Sequence, residues 1–236
     1  SETMGDECVR RLVGGGHLQV TGGYDGADDI DVFFVCVPTP VPEHKAPDTA
    51  FTETAPASLA DRLRPGQLVI LKSTTYPTTT ETVVQPLLEE ASKEKGLTMG
   101  EDVFLAFSPE RIDPGNETYT LGNTPVVVGG VTPTATDLAE QVTAQVAGEV
   151  YSVSSARVAE MEKLLENIYR SVNIALVNEL AQLCDRIGVS MWEVVEAAAT
   201  KPFGFQAFYP GPGLGGHCIP VDPHYLSWLA REHDFE

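Results

Sequence analysis

The chain has no apolar run approaching the roughly 20 residues that cross a bilayer, and its first residues, SETMGDECVRRLVGGG, lack an apolar segment behind basic ones. Neither a membrane span nor a secretory leader is expected, and a cytoplasmic protein is. Cysteine is scarce: Cys8, Cys36, Cys184 and Cys218 stand singly, with no CxxC and no Cys/His spacing. This argues against a zinc centre or a redox pair, so no metal is expected and the thiols should be reduced. Basic residues are few, 15 Lys and Arg against 34 Asp and Glu, for a net charge of -19. Such a surface repels nucleic acid and anionic membranes, and neither is expected as a partner. The acid is spread along the chain. That suits a halophilic protein whose carboxylates stay hydrated while salt screens them, and it equally suits an ordinary acidic protein.

What is present is globular. With 236 residues and a hydrophobic share of 42%, the chain is long enough for one large domain or two smaller ones. IDVFFVCVPTP is an apolar run closed by prolines, the pattern of a strand buried on both faces of a parallel sheet. A helical region follows around TAPASLADRL. Then come a strand, GQLVILKSTTYP, and a helix, TTTETVVQPLLEEASKEKG, in which Pro86 is expected to introduce a kink. DVFLAFSPE and TPVVVGG read as further strands, and TATDLAEQVTAQVAG as another helix. Alternation of this kind predicts an α/β fold with a Rossmann-like parallel sheet whose ligands sit beyond the strand carboxyl ends. Thr39, Ser73, Thr74, Ser108 and Glu110 fall there.

From Ser154 the pattern becomes helical. The stretch 155–187 reads as one long helix with serines to cap its start and Gly188 at its end. Its apolar positions Val158, Met161, Leu165, Ile168, Val172 and Leu176, with Leu164, Ala175, Val177, Leu180 and Leu183, exceed one packing face, which predicts a homodimer through this helix. Lys163 and Asn167 stand one turn apart among apolar neighbours; they are either a solvated pair or a buried ammonium and amide able to stabilise an oxyanion. SMWEVVEAAAT predicts a second helix. After it, FYPGPGLGGHCIPVDPHYL sets four prolines and four glycines around Cys218. A loop so stiff suits a positioned nucleophilic thiol, although a cysteine is also often a small buried hydrophobe. His217 is adjacent in sequence, and neighbours in extended chain point apart, so no Cys–His pair is expected.

VCVPTP, KSTTYP, FSPERIDPGN, AEMEKLLENIYRSVNIALVNE and PGPGLGGHCIPVDP, in this order, resemble the nucleotide-sugar 6-dehydrogenases, the UDP-glucose/GDP-mannose dehydrogenase family, from about Gly5 to the last residue. KPFGFQAFYPGPGLGGHCIPVDPHYLSW is most similar to the branch that oxidises UDP-N-acetylglucosamine, with UDP-N-acetylmannosamine and UDP-glucose enzymes as alternatives. Val221 stands where many UDP-glucose enzymes have lysine, and Pro114 where they have a second glutamate. The family chain is longer, with a glycine-rich dinucleotide turn before this segment and a UDP-binding domain after it, so the sequence is expected to be a fragment. The resemblance implies a partial NAD-binding domain over residues 1–153 and a helical dimerisation domain with the cysteine loop over 154–236. GGG at Gly14 to Gly16 lacks the strand and spacing of a pyrophosphate turn.

The resemblance further implies a cytoplasmic enzyme of polysaccharide biosynthesis that oxidises the C6 alcohol of a UDP-sugar to a carboxylate with NAD. Cys218 would carry a thiohemiacetal and then a thioester. Lys163 and Asn167 would stabilise the C6 oxygen, Asp222 and Thr74 would organise water and protons, and Glu110 would serve as base or water-holder. Cofactor contacts implied are Val37, Pro38, Thr39, Ser73 and Thr74. Substrate contacts implied are Glu110, Arg111, Ile112, Asp113, Phe208, Tyr209, Gly211 and Gly215. A two-electron β-hydroxyacid dehydrogenase, which also pairs lysine and asparagine on a long helix, and an inactive dimerising core remain as alternatives.

Overall fold

The computed structural model describes residues 5–24, 26–40, 48–112, 116, 118–216 and 218–235, with Cys218 described by its backbone alone. Two compact units are present, Ser1–Ile30 and Asp31–Glu236. The first contains helix α1 (Asp6–Gly14), which the sequence reading did not anticipate; Gly15 caps its end and Gly16 follows at φ +73°. The GGG triplet is thus a helix C-terminus, where glycine's tolerance of positive φ is used.

The second unit is built on a sheet of β1 (Val32–Val35), β2 (Gln67–Leu71), β3 (Val103–Phe107), β4 (Val126–Gly130) and β5 (Val150–Ser152), in that spatial order. β2 and β3 are buried at every position, and their alternate side chains enter two separate apolar layers. Val69, Leu71, Val103, Leu105 and Phe107 pack on one face with Val84, Leu88, Ala156 and Ala159; Leu68, Ile70, Phe104 and Ala106 pack on the other with Ala135 and Ala139. A strand with apolar residues at both parities has no solvent side, which is why these runs read as continuous. Each large aliphatic side chain so buried contributes about 1.5–3 kcal/mol.

Three details differ from the sequence expectation. β1 is an edge strand with Phe34 48% exposed, so its apolar run is not buried on both faces. The β1–β2, β2–β3 and β4–β5 pairs are parallel, but β3 and β4 pair antiparallel, Ala106 opposite Gly130 and Phe107 opposite Gly129. A parallel return needs a crossover, usually a helix; among the described residues between β3 and β4 there is none. The short β5 was also not anticipated. In β4, a Cβ on Gly129 would lie 2.2 Å from the Ser155 carbonyl oxygen, and one on Gly130 would lie 2.3 Å from the Thr136 nitrogen. The pair of glycines therefore lets two helix starts approach the sheet.

The helices are α2 (Ala50–Ala57), α3 (Gln85–Glu94), α4 (Pro133–Thr143), α5 (Ala156–Ile187), α6 (Met191–Ala199) and α7 (Cys218–Glu232). A wide π-type turn, Thr80–Val84, precedes α3. Pro86 has no N–H to close an ordinary α turn there, which accounts for the expected irregularity. α5 runs 32 residues to a left-handed Gly188 at φ +72°, although the Ser155 side chain makes no capping bond. Its buried face carries Ala156, Ala159, Glu160, Leu164, Asn167 and Val177. A second stripe stays exposed: Val158, Met161, Leu165, Tyr169, Val172, Leu176, Leu180, Leu183 and Ile187. No helix among the described residues is long and apolar enough to cross a membrane.

Candidate functional site

The carboxyl ends of β1, β2 and β3 are followed by Cys36, Lys72, Ser73 and Ser108. Lys72 and Ser108 are 3.5 Å apart from Nζ to Oγ. Burial lowers the Lys72 pKa, against the opposing charges of Glu110 and Cys36 and with that of Lys163. Burial likewise pushes the Cys36 thiol up, with Lys72 opposing. Ser73 latches the first two strand ends: its hydroxyl accepts the Val37 N–H at 2.8 Å and donates to the Val37 carbonyl at 2.7 Å. Pro38 is exposed and Thr39 and Thr74 are half-buried, so the rim beyond the latch is open.

From α5, Lys163 Nζ donates to the Glu110 main-chain oxygen at 2.6 Å. The Glu110 carboxylate turns back to accept the N–H groups of Arg111 and Ile112, both at 2.9 Å, which fixes the turn after β3. One turn along α5, Asn167 Nδ2 donates to Asp222 Oδ2 at 2.5 Å, with the two residues 7% and 3% exposed. The burial of both residues puts the bond in a low-dielectric setting where such contacts are strong.

Asp222 belongs to α7, which the sequence reading took as loop. Helix begins at Cys218 and tolerates Pro220 in its first turn, where a missing N–H costs no intrahelical bond. Three contacts seat α7. Asp222 meets Asn167, Tyr225 donates to the Thr39 carbonyl at 2.6 Å, and Trp228 packs on Tyr76 at 4.9 Å between ring centroids. The helix that opens at Cys218 is thereby fixed to the end of β1, to the segment after β2 and to α5.

Phe208 stacks edge-on against Tyr169 at 5.9 Å, and Tyr169 donates to Gln206 at 3.1 Å. These residues, with Arg111, Glu166 and Arg170, line a cleft of about 360 Å³. Arg111 is held from behind: it donates to the Pro125 carbonyl at 2.7 Å, pairs with Glu166, and lies 3.6 Å from Glu162. Burial works against its charge, but the Glu166 hydrogen bond and the two carboxylates outweigh it and raise its pKa. Burial, reinforced by Glu166, pushes Glu162 up to about 7, while Glu166, although buried, is held low by Arg111 and by its hydrogen bond to Glu162. Gly211 donates its N–H to Asn178 Oδ1 at 2.9 Å, and Asn178 Nδ2 reaches the Gly213 carbonyl at 3.4 Å. Tyr209 is exposed, and Gly215 turns at φ +72°.

Among the expected residues Ser73 meets Val37, Thr39 meets Tyr225 of α7, Lys163 meets Glu110 and Asn167 meets Asp222, while Phe208 lines the cleft and Gly211 is bonded to Asn178 of α5. Asp113, Pro114, His217 and the Cys218 side chain lie outside the described residues. Sequence reasoning missed Lys72, Glu160, Glu162, Glu166, Asn178 and Tyr225. Several had a signal in hindsight: Glu160 and Asn178 lie 7 residues before and 11 after Asn167, on the same helix face.

Val37, Pro38, Thr39, Ser73 and Thr74 lie beyond the carboxyl ends of β1 and β2, the position at which ligands of open α/β sheets sit. The GGG triplet, which ends α1, does not open a helix and so cannot seat a pyrophosphate at a helix start.

Residues 1–147 match the UDP-glucose/GDP-mannose dehydrogenase family NAD binding domain, and residues 157–236 match that family's central domain. The chain is 42% identical over 215 residues to a Pseudomonas aeruginosa UDP-N-acetyl-D-glucosamine 6-dehydrogenase, covering 91% of this chain and 50% of the relative. It is 38% identical over 230 residues to a Ralstonia solanacearum NDP-N-acetyl-D-galactosaminuronic acid dehydrogenase, covering 96% and 53%. The solved UDP-D-ManNAc dehydrogenase of Pyrococcus horikoshii superposes with a TM-score of 0.85 at 36% identity, over 95% of this chain and 53% of that one. The chain spans about half the length of these relatives.

Proposed function

Because the chain belongs to the UDP-glucose/GDP-mannose dehydrogenase family, we propose that it supplies the catalytic centre of an NAD-dependent oxidation of the C6 alcohol of a UDP-N-acetylhexosamine, with UDP-N-acetylglucosamine favoured. The observation that carries the proposal is the seating of α7: the helix opening at Cys218 is bonded to Thr39 at one strand end and to Asn167 on α5. The amide of Asn167 and the ammonium of Lys163 on one helix, with the backbone of Cys218 opening the helix bonded to it, suit a carbon atom oxidised twice.

When bound, NAD supplies the hydride acceptor for two successive oxidations. Lys163 and Asn167 hold negative charge on the C6 oxygen as it loses its proton, because fixed donors in a water-poor site need no reorganisation when charge develops. Cys218 adds to the resulting aldehyde to give a thiohemiacetal, whose oxidation leaves a thioester that water cleaves. Its backbone lies in the first turn of α7, where free N–H groups and the helix dipole favour negative charge. Asp222 and Thr74 order water and protons, and Glu110 assists the attacking water. Phe208, Tyr209, Gly211, Gly215 and residues Arg111, Ile112 and Asp113 would contact the sugar; Arg111, already paired with Glu166, acts there chiefly as a braced wall.

We read residues 1–153 as the NAD-binding part and 154–236 as the helical part, and we place the dimer on the exposed stripe of α5. Relatives named for N-acetylglucosamine and N-acetylgalactosaminuronate support an N-acetylhexosamine substrate; the acidic composition supports a salt-adapted cytoplasmic protein. The deciding measurement is stoichiometry in the full-length protein: two NADH per sugar and a uronic acid product are expected, and Cys218→Ser should form no acid. One NADH per sugar, or normal acid formation by the serine variant, removes the four-electron reading.

A further inference from the structure

Glu160 lies on the buried face of α5, three residues before Lys163, and is 1% exposed. Its carboxylate faces the turn that follows β2. Oε2 accepts the Thr78 N–H at 2.6 Å, and Oε1 accepts both the N–H and the hydroxyl of Thr80, at 2.8 and 2.6 Å. Thr78 stands at φ +84°, in the left-handed region, and its carbonyl accepts the Thr82 N–H at 2.8 Å. The helical run through Thr80–Val84 and α3 therefore starts at a β-branched residue in a conformation that such residues seldom adopt.

A helix start ordinarily caps itself with a side chain on extended backbone that folds back onto the second or third N–H. Here the cap comes from another helix. The positive end of the helical run favours a carboxylate at this point, and three hydrogen bonds offset much of the cost of burying it. The capped turn begins four residues after Thr74, and the capping helix carries Lys163 and Asn167.

We propose that Glu160 is a positioning residue that holds Thr78 left-handed and so sets the spacing between Ser73 and Thr74 at the strand ends and Lys163 and Asn167 on α5. The kinetic part of its test rests on the oxidation proposed above; the structural part does not.

The experiment compares full-length wild type, Glu160→Gln, Thr80→Val and the double variant Glu160→Gln/Thr78→Gly by hydrogen exchange and by steady-state kinetics. Glutamine keeps the shape but turns a donor toward a donor, so exchange across residues 78–84 should quicken by on the order of tenfold. Misplacement of the oxyanion donors should lower kcat by on the order of tenfold or more while KM for NAD and for the sugar stays within about threefold. Thr80→Val, which deletes one hydroxyl donor, should show a smaller change of the same kind. Glycine reaches the left-handed region unaided, so the double variant should regain most of the lost kcat. Faster exchange with unchanged kcat would reduce Glu160 to a packing group, and unchanged exchange would overturn the proposal outright. If Glu160→Gln fails to fold, wild-type behaviour of Thr80→Val on both readouts has that same effect. A wild type that forms no NADH sinks the oxidation reading, and exchange at 78–84 in Glu160→Gln still decides whether Glu160 fixes the turn.

Discussion

Replacing Glu162 with glutamine should stabilise the protein at pH 8 and change little at pH 5. In the folded chain, burial and the neighbouring Glu166 raise Glu162 from 4.5 to about 7. A carboxyl raised in this way binds a proton that the unfolded chain has already released, so stability is full below about pH 4.5 and falls as pH rises to about 7. Each pH step across that gap is worth about 1.36 kcal/mol, an upper bound of about 3.4 kcal/mol. The side chain is 25% exposed, so solvent screening reduces this to about 1–2 kcal/mol. Glu162 Oε2 is buried with no hydrogen-bond partner among the described residues, which leaves its charge poorly compensated. Glutamine imitates the protonated state and can still donate to Glu166. At about 2–4 °C per kcal/mol for a chain of this size, thermal melts at pH 8 should place the variant about 2–8 °C above wild type. A gap of equal size at pH 5 and pH 8 would refute the reasoning, since a difference independent of pH cannot come from a titrating group.

Lys163→Ala should lose on the order of 10²-fold in turnover, and Lys163→Arg should recover little because a planar guanidinium does not replace a compact ammonium; near-normal NADH production by the alanine variant would return Lys163 to a structural role. Leu176→Glu, in the middle of the exposed α5 stripe, should convert a dimer to a monomer in light scattering, and a wild type that is already monomeric would discard that interface. With a net charge of -19, the melting temperature should rise between low and molar potassium chloride, and a flat response would leave an ordinary acidic protein.

The sheet and the long helix were legible because their signals are local. VILKS and VFLAF carry apolar residues at both parities, and α5 carries a helical period for 32 residues before a glycine that ends it. The motif residues Lys163, Asn167 and Asp222 were legible only as types in order; that Asn167 and Asp222 bond across 55 positions is a tertiary fact. α7 was misread because prolines and glycines dominate the stretch before it, and proline in a first helical turn carries a loop signal without breaking the helix. The antiparallel β3–β4 pair has no mark within either strand; it depends on the path between them. Glu160 and Glu162 read as ordinary surface charge in AEMEK. Only the packing of α5 on the sheet distinguishes the first, which meets the turn after β2, from the second, which meets Arg111.

The exposed stripe of α5 also has a handedness. Val158, Tyr169 and Leu180 are spaced by eleven, as are Met161, Val172 and Leu183, and Leu165, Leu176 and Ile187. Eleven residues in three turns is about 3.67 per turn, slightly more than the helix itself, so the stripe drifts about 20° per repeat in the sense opposite to a heptad. Two copies joined along it would lean across each other with a right-handed twist, staying in contact along most of the roughly 48 Å of helix. Inserting or deleting one residue in this segment would turn the later part of the seam by about 100° and carry it out of register.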